Sequence, residues 1–466
     1  MPNYVLFSPS FIDNIFGKKY SFPMKKLTEG NITKQIISFS IPLLLGTALL
    51  RLYTLVDTMM VGRFLGTDPL AAVGATANIA NLFVFLCWGF TSGFSIIIGQ
   101  AFGEGNTKKL RKTIAHTYLL SVLILLVLTL AGLLLKERIL YWTQIPEEIH
   151  GIASTYLTIS ILGLTTSMLY NVLTNVLRAL GDSLIPLIFQ SISVFINIIL
   201  DYVFIAILGK GVAGAAIATV ISQALSGIAC LVYCIFKRPV LIVSPGDFSM
   251  KENYLSLMIP QGISMSMMIS VVTTGTVILQ TGINSLGADI IAGYTAGRKY
   301  VELFFMPGGA LSSTAAAFTS QNFGAKKFDR IRQGTKQIIL IAWIINALEW
   351  ITVIFFAEPM VKSITGSNVD SSIIEAGKFY MITNLPFYAF VSVLVIVRSA
   401  LQGMNKKKTP VVASIMEMVL KIIAVAVFVP CLGYTGIVIT EPIIWFIGAL
   451  WVWIMYTHTL KKKSST

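Results

Sequence analysis

Charged residues are scarce in this sequence, at 12% of 466 positions, whereas a typical soluble domain carries about 25%. Histidine is rarer still, with three scattered copies, and Cys230 and Cys234, which share a helix face, have no nearby His or acidic partners. No P-loop, no Gly-x-Ser-x-Gly segment and no metal-ligand pattern occurs. These absences argue against a large soluble protein, a direct ATP user, a bound cofactor and a hydrolytic or metal-dependent enzyme.

Hydrophobic residues make up 55% of the chain and fall into runs of about 20 residues, the length that crosses a bilayer as a helix. Helices are expected because lipid offers no hydrogen-bond partners to an open backbone. We predict an all-α integral membrane protein with twelve transmembrane helices in two pseudo-symmetric six-helix lobes. The predicted spans are 41–63, 69–100, 113–135, 151–176, 186–207, 211–236, 254–284, 288–320, 335–357, 373–400, 410–430 and 434–458.

Lys and Arg are distributed unequally between the two sides of these spans. Of 35 such residues, 25 lie on one side and six on the other. The positive-inside rule then predicts that both termini are cytoplasmic, in a multi-pass protein of the plasma membrane. This asymmetry also accounts for the net charge of +14 without a nucleic acid partner.

The two halves of the chain repeat one another. The first half contains Gln100-Ala101-Phe102-Gly103, and the matching segment of the second half is Gln321-Asn322-Phe323-Gly324. Pro186 likewise corresponds to Pro410. An even number of spans separates the copies, so both lobes have the same orientation in the membrane. We predict a cytoplasmic extension at 1–30, an N-lobe at 31–236, a linker at 237–253 and a C-lobe with a basic tail at 254–466.

Acids inside a membrane span are candidates for function because their burial is costly. Asp57 lies 15 residues beyond Pro42 and Asp201 lies 15 beyond Pro186, which places both about 22 Å above their prolines. Three further polar residues are expected near the same level, namely Asn197, Thr219 and Tyr156. Such a pocket could bind Na⁺ through hard oxygen ligands or carry a proton on its paired acids. The alternative is that each acid only hydrogen-bonds a neighbouring helix.

The matching positions of the second half are Gly275 and Val425, so the acid pair belongs to one lobe only. Helical spacing favours ion pairs between Arg298 and Glu302 and between Glu417 and Lys421. Glu302 could instead line a cavity. Met265 and Met268 could do so too, although ordinary packing also explains them.

At these residues the chain resembles the multidrug and toxic compound extrusion (MATE) family. The resemblance covers about residues 30–460 and rests on several strings in order: Val56-Asp57-Thr58, Gln100-Ala101-Phe102-Gly103, Leu177-Arg178-Ala179-Leu180-Gly181-Asp182, Asn197-Ile198-Ile199-Leu200-Asp201, Gly214-Ala215-Ala216-Ile217-Ala218-Thr219 and Gln321-Asn322-Phe323-Gly324-Ala325.

The resemblance implies a V-shaped pair of six-helix lobes and a secondary active transporter. Such a protein exports organic, often cationic compounds by alternating access in exchange for Na⁺ or H⁺. The cation ligands of the family's N-lobe site match Asp57, Asn197, Asp201 and Thr219, with Tyr156 nearby. Span seven lacks the acid that another branch of the family uses, so the chain looks more like the branch named after a DNA-damage-inducible protein.

Other functions remain open at this point. They are a flippase for lipids or lipid-linked glycans on a related fold, a membrane-embedded enzyme and a channel. We expect the chain to act as a monomer on small organic substrates within the lipid bilayer.

Overall fold

The structure is a computed structural model that describes residues 26–249, 251–366 and 369–464. Over these residues the secondary structure is helical throughout, joined by short turns. The predicted extension at 1–30 therefore lies mostly outside the described residues. The helices are α1 Ile32–Leu65, α2 Thr67–Gly103, α3 Thr107–Trp142, α4 Glu147–Leu162, α5 Leu164–Ala179, α6 Leu184–Asp201, α7 Gly211–Lys237, α8 Tyr254–Asn284, α9 Ala288–Phe304, α10 Met306–Gly324, α11 Phe328–Thr365, α12 Ser371–Asn384, α13 Tyr388–Gly403, α14 Lys408–Ile423, α15 Val429–Leu432 and α16 Tyr434–Ser464.

Eleven helical stretches of the described chain are long and apolar enough to cross a membrane, and they coincide with eleven of the predicted spans. The remaining span, 288–320, is built from α9 and α10, which meet at Phe305. Pro307 explains the break, because proline cannot donate the backbone hydrogen bond that would continue the helix. The all-α membrane fold predicted from the sequence is confirmed.

The described chain divides into two compact units. The first contains Ala48–Ile259, and the second combines Leu27–Thr47 with the chain from Pro260 onward. The division thus falls inside α1 and α8 rather than in the linker. The predicted lobe limits, 31–236 and 254–466, stay predictions.

Hydrogen bonds explain why the beginning of α1 belongs to the second unit. The backbone N–H of Leu27 donates to Gln321 Oε1 at 2.8 Å, and Asn322 Nδ2 donates to the Leu27 carbonyl at 3.1 Å. Arg330 Nη2 donates to the Glu29 carbonyl at 2.9 Å. Gln321 and Asn322, in the second copy of the repeated segment, therefore anchor the chain just before α1 together with Arg330.

The beginning of α8 is held in the first unit by ion pairs. Arg111 Nη2 lies 2.9 Å from Asp247 Oδ2, and Lys112 Nζ lies 2.5 Å from Glu252 Oε1. The backbone N–H and hydroxyl of Ser244, together with Arg111, hold the pKa of Asp247 below its usual range. Charged side chains on α3 therefore fix the linker that enters α8.

Each unit has its own hydrophobic core. Leu157, Leu177 and Phe189 are among the fully buried side chains of the first unit. In the second unit, Ile36 of α1 is buried with Phe318 and Leu401. Apolar side chains that point away from these cores are widely exposed, as expected for helices surrounded by lipid.

Candidate functional site

The predicted polar residues of the first half converge on one cluster in the first unit. Asp57 comes from α1, Asn197 and Asp201 from α6, and Thr219 from α7. Asn197 and Asp201 are almost fully buried, at 1% and 0% exposed. The equal depth predicted from the proline spacing therefore brings both acids to one place.

The two carboxyl groups are direct neighbours. The side chains of Asp57 and Asp201 lie within hydrogen-bonding reach of each other. One oxygen of each, Oδ1, is buried and has no hydrogen-bond partner among the described residues. Two ionised carboxylates at this separation repel each other, so the pair favours a state in which a proton or another cation lies between them.

The Asn197 side chain connects Asp201 to α7. In the amide orientation that satisfies both of its ends, the nitrogen donates to Asp201 Oδ2 at 2.9 Å, and the oxygen accepts from the backbone N–H of Thr219 at 3.3 Å. Asn197 lies one helical turn before Asp201, as the i,i+4 spacing predicts. The amide therefore presents a donor, rather than its oxygen, to the acid pair.

Tyr53 completes the cluster and was missed in the sequence. Its hydroxyl lies 2.9 Å from Thr219 Oγ1, which links α1 to α7. Tyr53 lies four residues before Asp57, hence on the same face of α1. The spacing that placed Asn197 beside Asp201 would have identified Tyr53 as well.

Tyr156 also belongs to this neighbourhood. The phenol group interacts electrostatically with both Asp57 and Asp201, and it packs with a small hydrophobic cluster that includes Val61. All five predicted members of the coupling site are therefore brought together. Their role in coupling stays a prediction.

The backbone changes its helical geometry at the acid pair. Asp201 is the last residue of α6, and a π-helical segment, Tyr202–Ile207, follows it directly. A second π-helical segment, Ala424–Phe428, follows α14 at the corresponding point of the repeat. Single π-turns inside helices are frequent at functional sites. Here the feature is common to both halves, whereas the acids occur only in the first.

The predicted Glu417–Lys421 ion pair is wrong. Glu417 Oε1 instead lies 2.9 Å from Arg398 Nη1, and the two side chains are only 10% and 11% exposed. The Lys421 ammonium donates to Thr276 Oγ1 at 3.4 Å, beside Gly275. Arg398 lies on α13, and its guanidinium pairs with the buried Glu417 carboxylate of α14. Local spacing had predicted that Lys421, on α14 itself, would be the partner.

The Arg298–Glu302 pair forms as its spacing predicts, with Arg298 Nε 3.0 Å from Glu302 Oε1. Met265 is buried at 5% exposed, and Met268 accepts a hydrogen bond from Gln402 Nε2 at 3.2 Å. These contacts describe packing and pairing within the second unit. That Glu302, Met265 and Met268 line a substrate cavity stays a prediction.

Two further acids of the second unit acquire partners that the sequence did not reveal. Asn346 Nδ2 donates to Glu349 Oε2 at 3.0 Å, and the hydroxyl of Tyr380 donates to Glu441 Oε2 at 2.9 Å. Glu349 and Asn346 are three residues apart on α11, so spacing alone could have found that pair. The contact between α12 and α16 that joins Tyr380 to Glu441 has no local signal.

Comparison with known proteins gives consistent results. The family model MatE matches residues 42–203 and 263–427. The chain is 29% identical, over 314 residues, to the probable multidrug resistance protein YpnP of Bacillus subtilis, covering 67% of this chain and 69% of that protein. It is 23% identical to a FAD transporter of Shewanella oneidensis, covering 90% of this chain and 92% of that protein.

Solved structures resemble the fold closely. An outward-facing multidrug resistance MATE family transporter of the MOP superfamily superimposes with a TM-score of 0.88 at 21% identity, and the match covers 95% of this chain and 98% of that one.

Proposed function

Because this chain belongs to the MatE family of membrane transporters, we propose that it exports small organic compounds in exchange for a cation bound at Asp57 and Asp201. Family membership places the chain among transporters rather than enzymes. Two of its relatives carry the names of a multidrug resistance protein and a FAD transporter, so the substrate class is broad. A flippase function has no comparable support.

The observation that carries this proposal is the interaction between two neighbouring carboxyl groups, that of the half-buried Asp57 and that of the fully buried Asp201. When both are ionised and unoccupied, their repulsion separates α1 from α6. When a cation lies between them, that repulsion is removed and the helices can pack. Binding energy of the ion is thereby converted into a shift between two packings of α1, which is what antiport by alternating access requires.

We propose that the ion is a proton. The Asn197 amide directs its nitrogen to Asp201, and its oxygen is used by the backbone N–H of Thr219. The amide oxygen could add to the carboxylate and hydroxyl ligands of a sodium ion only after the amide reoriented, since Na⁺ binds to oxygen atoms. Proton exchange between two carboxyl groups needs no such ligand. Sodium remains the second candidate, with Asp57, Asn197, Asp201 and Thr219 as its ligands after reorientation of the amide.

Liposomes that contain the purified protein and an entrapped fluorescent organic cation provide the test. An imposed H⁺ gradient, and separately a Na⁺ gradient, should be applied to the wild type, Asp57→Asn and Asp201→Asn. We expect uphill substrate movement with the H⁺ gradient alone, lost in both variants. Asp68→Asn is the matched control, because Asp68 is exposed at the start of α2 and should retain full transport.

Two outcomes would contradict parts of this proposal. Movement driven by Na⁺ alone would replace the proton by sodium at the same site. Normal proton-driven movement in both Asp→Asn variants would remove the acid pair from the coupling mechanism.

The membrane setting follows the same reasoning. We propose that the chain acts as a monomer in the plasma membrane, where its family of transporters suggests it resides. We propose further that both termini are cytoplasmic, on the basis of the asymmetric Lys and Arg distribution. Cysteine labelling of Cys431 from one side of sealed vesicles would check the orientation, since that cysteine is exposed at the end predicted to be extracellular and the other three are buried.

A further inference from the structure

Arg51 is a charged side chain in the middle of a membrane-spanning helix. Within the span 41–63 of α1 it lies about 15 Å from one end and about 18 Å from the other. The side chain is exposed, and it has no hydrogen bond or ion pair with any described residue. A charge at this depth is costly against lipid, so such a residue faces the protein interior or a water-filled space. Because Arg51 is exposed, we infer that it faces water.

Neighbouring residues on the same side of α1 are polar as well. Thr54 and Thr58 follow Arg51 at i+3 and i+7, and both are exposed. Their hydroxyls donate to the carbonyls of Leu50 and Thr54 in their own helix. Neither hydroxyl therefore has a proton left for a ligand. The two threonines indicate a hydrated face, and Arg51 is the group on it that can donate hydrogen bonds.

The charges deep within the described spans do not balance. Asp57 and Asp201 lie beside each other, and the remaining deep acids each have a basic, amide or phenol partner, namely Glu302, Glu349, Glu417 and Glu441. By contrast, three deep basic residues form no ion pair with a described residue, namely Arg51, Lys299 and Lys421. The uncompensated charge is therefore positive, which attracts anions and repels cations.

The chemistry of the guanidinium narrows the class of ligand. Arginine presents several N–H donors in a planar fork, which matches the two oxygens of a carboxylate or phosphate. Lys421 is only 6% exposed and donates to Thr276 Oγ1, so a dissolved molecule does not reach it as it does Arg51. A small organic molecule with an oxyanion group fits the exposed, unpaired guanidinium best.

We propose that the compounds exported by this chain carry a carboxylate or phosphate group, and that Arg51 binds this group from the water-filled space beside α1. The proposal rests on the export function proposed above and names the substrate class. It concerns one group of the substrate and is compatible with a positive charge elsewhere on the molecule, as in a zwitterion.

The position of Arg51 also connects binding to the acid pair. Asp57 follows Arg51 by six residues, which is about 9 Å along α1 and about 240° around it. One side of the helix therefore carries the coupling acid, and another carries the substrate-binding cation. A change in the packing of α1 at Asp57 moves Arg51 in the same step.

Fluorescence anisotropy of three related dyes tests the substrate class on the purified full chain. Dansylglycine carries a carboxylate, dansylglycinamide is neutral and dansylethylenediamine carries an ammonium group. We expect the wild type to bind dansylglycine most tightly. Arg51→Gln should weaken binding of dansylglycine about tenfold or more and leave that of dansylglycinamide unchanged, because only the carboxylate uses the guanidinium. Equal affinities for the three dyes, or no binding of any, would overturn the proposal.

Two further variants make the comparison specific. Arg63→Gln is the matched control, because Arg63 is exposed at the end of α1 and its loss should leave all three affinities unchanged. Arg51→Lys keeps the charge but removes the planar fork, so it should weaken dansylglycine only a few-fold relative to dansylglycinamide. An unchanged ratio in Arg51→Lys, or equal losses in Arg51→Gln and Arg63→Gln, would refute the role of Arg51.

The water-filled space has a test that needs no ligand. In a Cys431→Ser background, where the other three cysteines are buried, Arg51→Cys should react in proteoliposomes with a membrane-impermeant, charged thiol reagent. Val127→Cys is the control, since Val127 is 65% exposed near the middle of α3, between the exposed Leu123 and Leu130 of the same apolar face. It should not react. Equal reactivity of the two variants, or none in Arg51→Cys, would refute the hydrated face.

Failure of this inference can be told apart from failure of the proposed coupling. Dye binding is measured without an ion gradient, so it does not depend on which ion drives transport. Loss of the carboxylate preference would leave gradient-driven export through Asp57 and Asp201 intact. Conversely, normal transport in the Asp→Asn variants would remove the coupling role while leaving carboxylate binding at Arg51 unchanged.

Discussion

The hydrogen bond between Tyr53 and Thr219 offers the sharpest test of the cluster, because each partner can be removed without changing charge. Tyr53→Phe deletes only the phenol hydroxyl, which lies 2.9 Å from Thr219 Oγ1. Thr219→Val deletes the other side of the same contact with little change in volume. Both changes leave Asp57 and Asp201 in place.

The expected size follows from the geometry. A neutral hydrogen bond of normal length contributes about 1 kcal/mol, equivalent to roughly fivefold in the population of the state that contains it. The bond links α1 to α7 in the arrangement that also holds the acid pair together. Each single variant should therefore transport about fivefold more slowly in the proton-driven liposome assay.

The double variant decides whether the bond itself is responsible. If the two groups act through one shared bond, the double variant should also be about fivefold slower, rather than about 25-fold. Thr54→Val is the control, because Thr54 bonds only to the Leu50 carbonyl of its own helix and should retain wild-type transport. Independent, multiplicative effects, or no loss in either single variant, would refute the role assigned to this contact.

Two further predictions concern stability, measured as the folded fraction after heating in detergent. Arg398→Met leaves the Glu417 carboxylate buried without its partner and should lower the free energy of unfolding by about 3–5 kcal/mol. The double variant Arg398→Met with Glu417→Leu should recover most of that loss. A double variant no more stable than the single one would refute this prediction. Gly297→Ala would bring a methyl group to 2.9 Å from the Gly377 carbonyl oxygen and should destabilise by about 1–3 kcal/mol. Gly309→Ala enters open space, so it should be neutral or stabilising, and equal losses in both glycine variants would contradict the packing argument.

The candidate site could be predicted to a large extent because its residues follow helical spacing from fixed markers. Pro42 and Pro186 fix the depth of Asp57 and Asp201, and one helical turn fixes Asn197. Tyr53 obeys the same rule and could have been included. The orientation of the Asn197 amide could not be predicted from the sequence, because it depends on a hydrogen bond from the backbone N–H of Thr219, which lies on another helix.

Long-range pairing is where sequence spacing failed. Lys421 lies one turn from Glu417, but the carboxylate pairs with Arg398, because the buried guanidinium comes from a packed neighbouring helix at 2.9 Å. Likewise, no local pattern connects Tyr380 with Glu441, or the chain before α1 with Gln321. Such contacts depend on which helix faces pack together.

The membrane setting, the helical class, the number of spans, the repeat and the depth of the acids could all be predicted from the amino-acid sequence. Each of these features follows from local composition or from counting residues along a helix. None of them requires knowledge of which helices pack together. The division of α1 and α8 between the two units and the hydrogen-bond partners of the buried acids became evident only from the packed helices. Those features arise from contacts between helices. The sequence of a single helix does not indicate which face of another helix will pack against it.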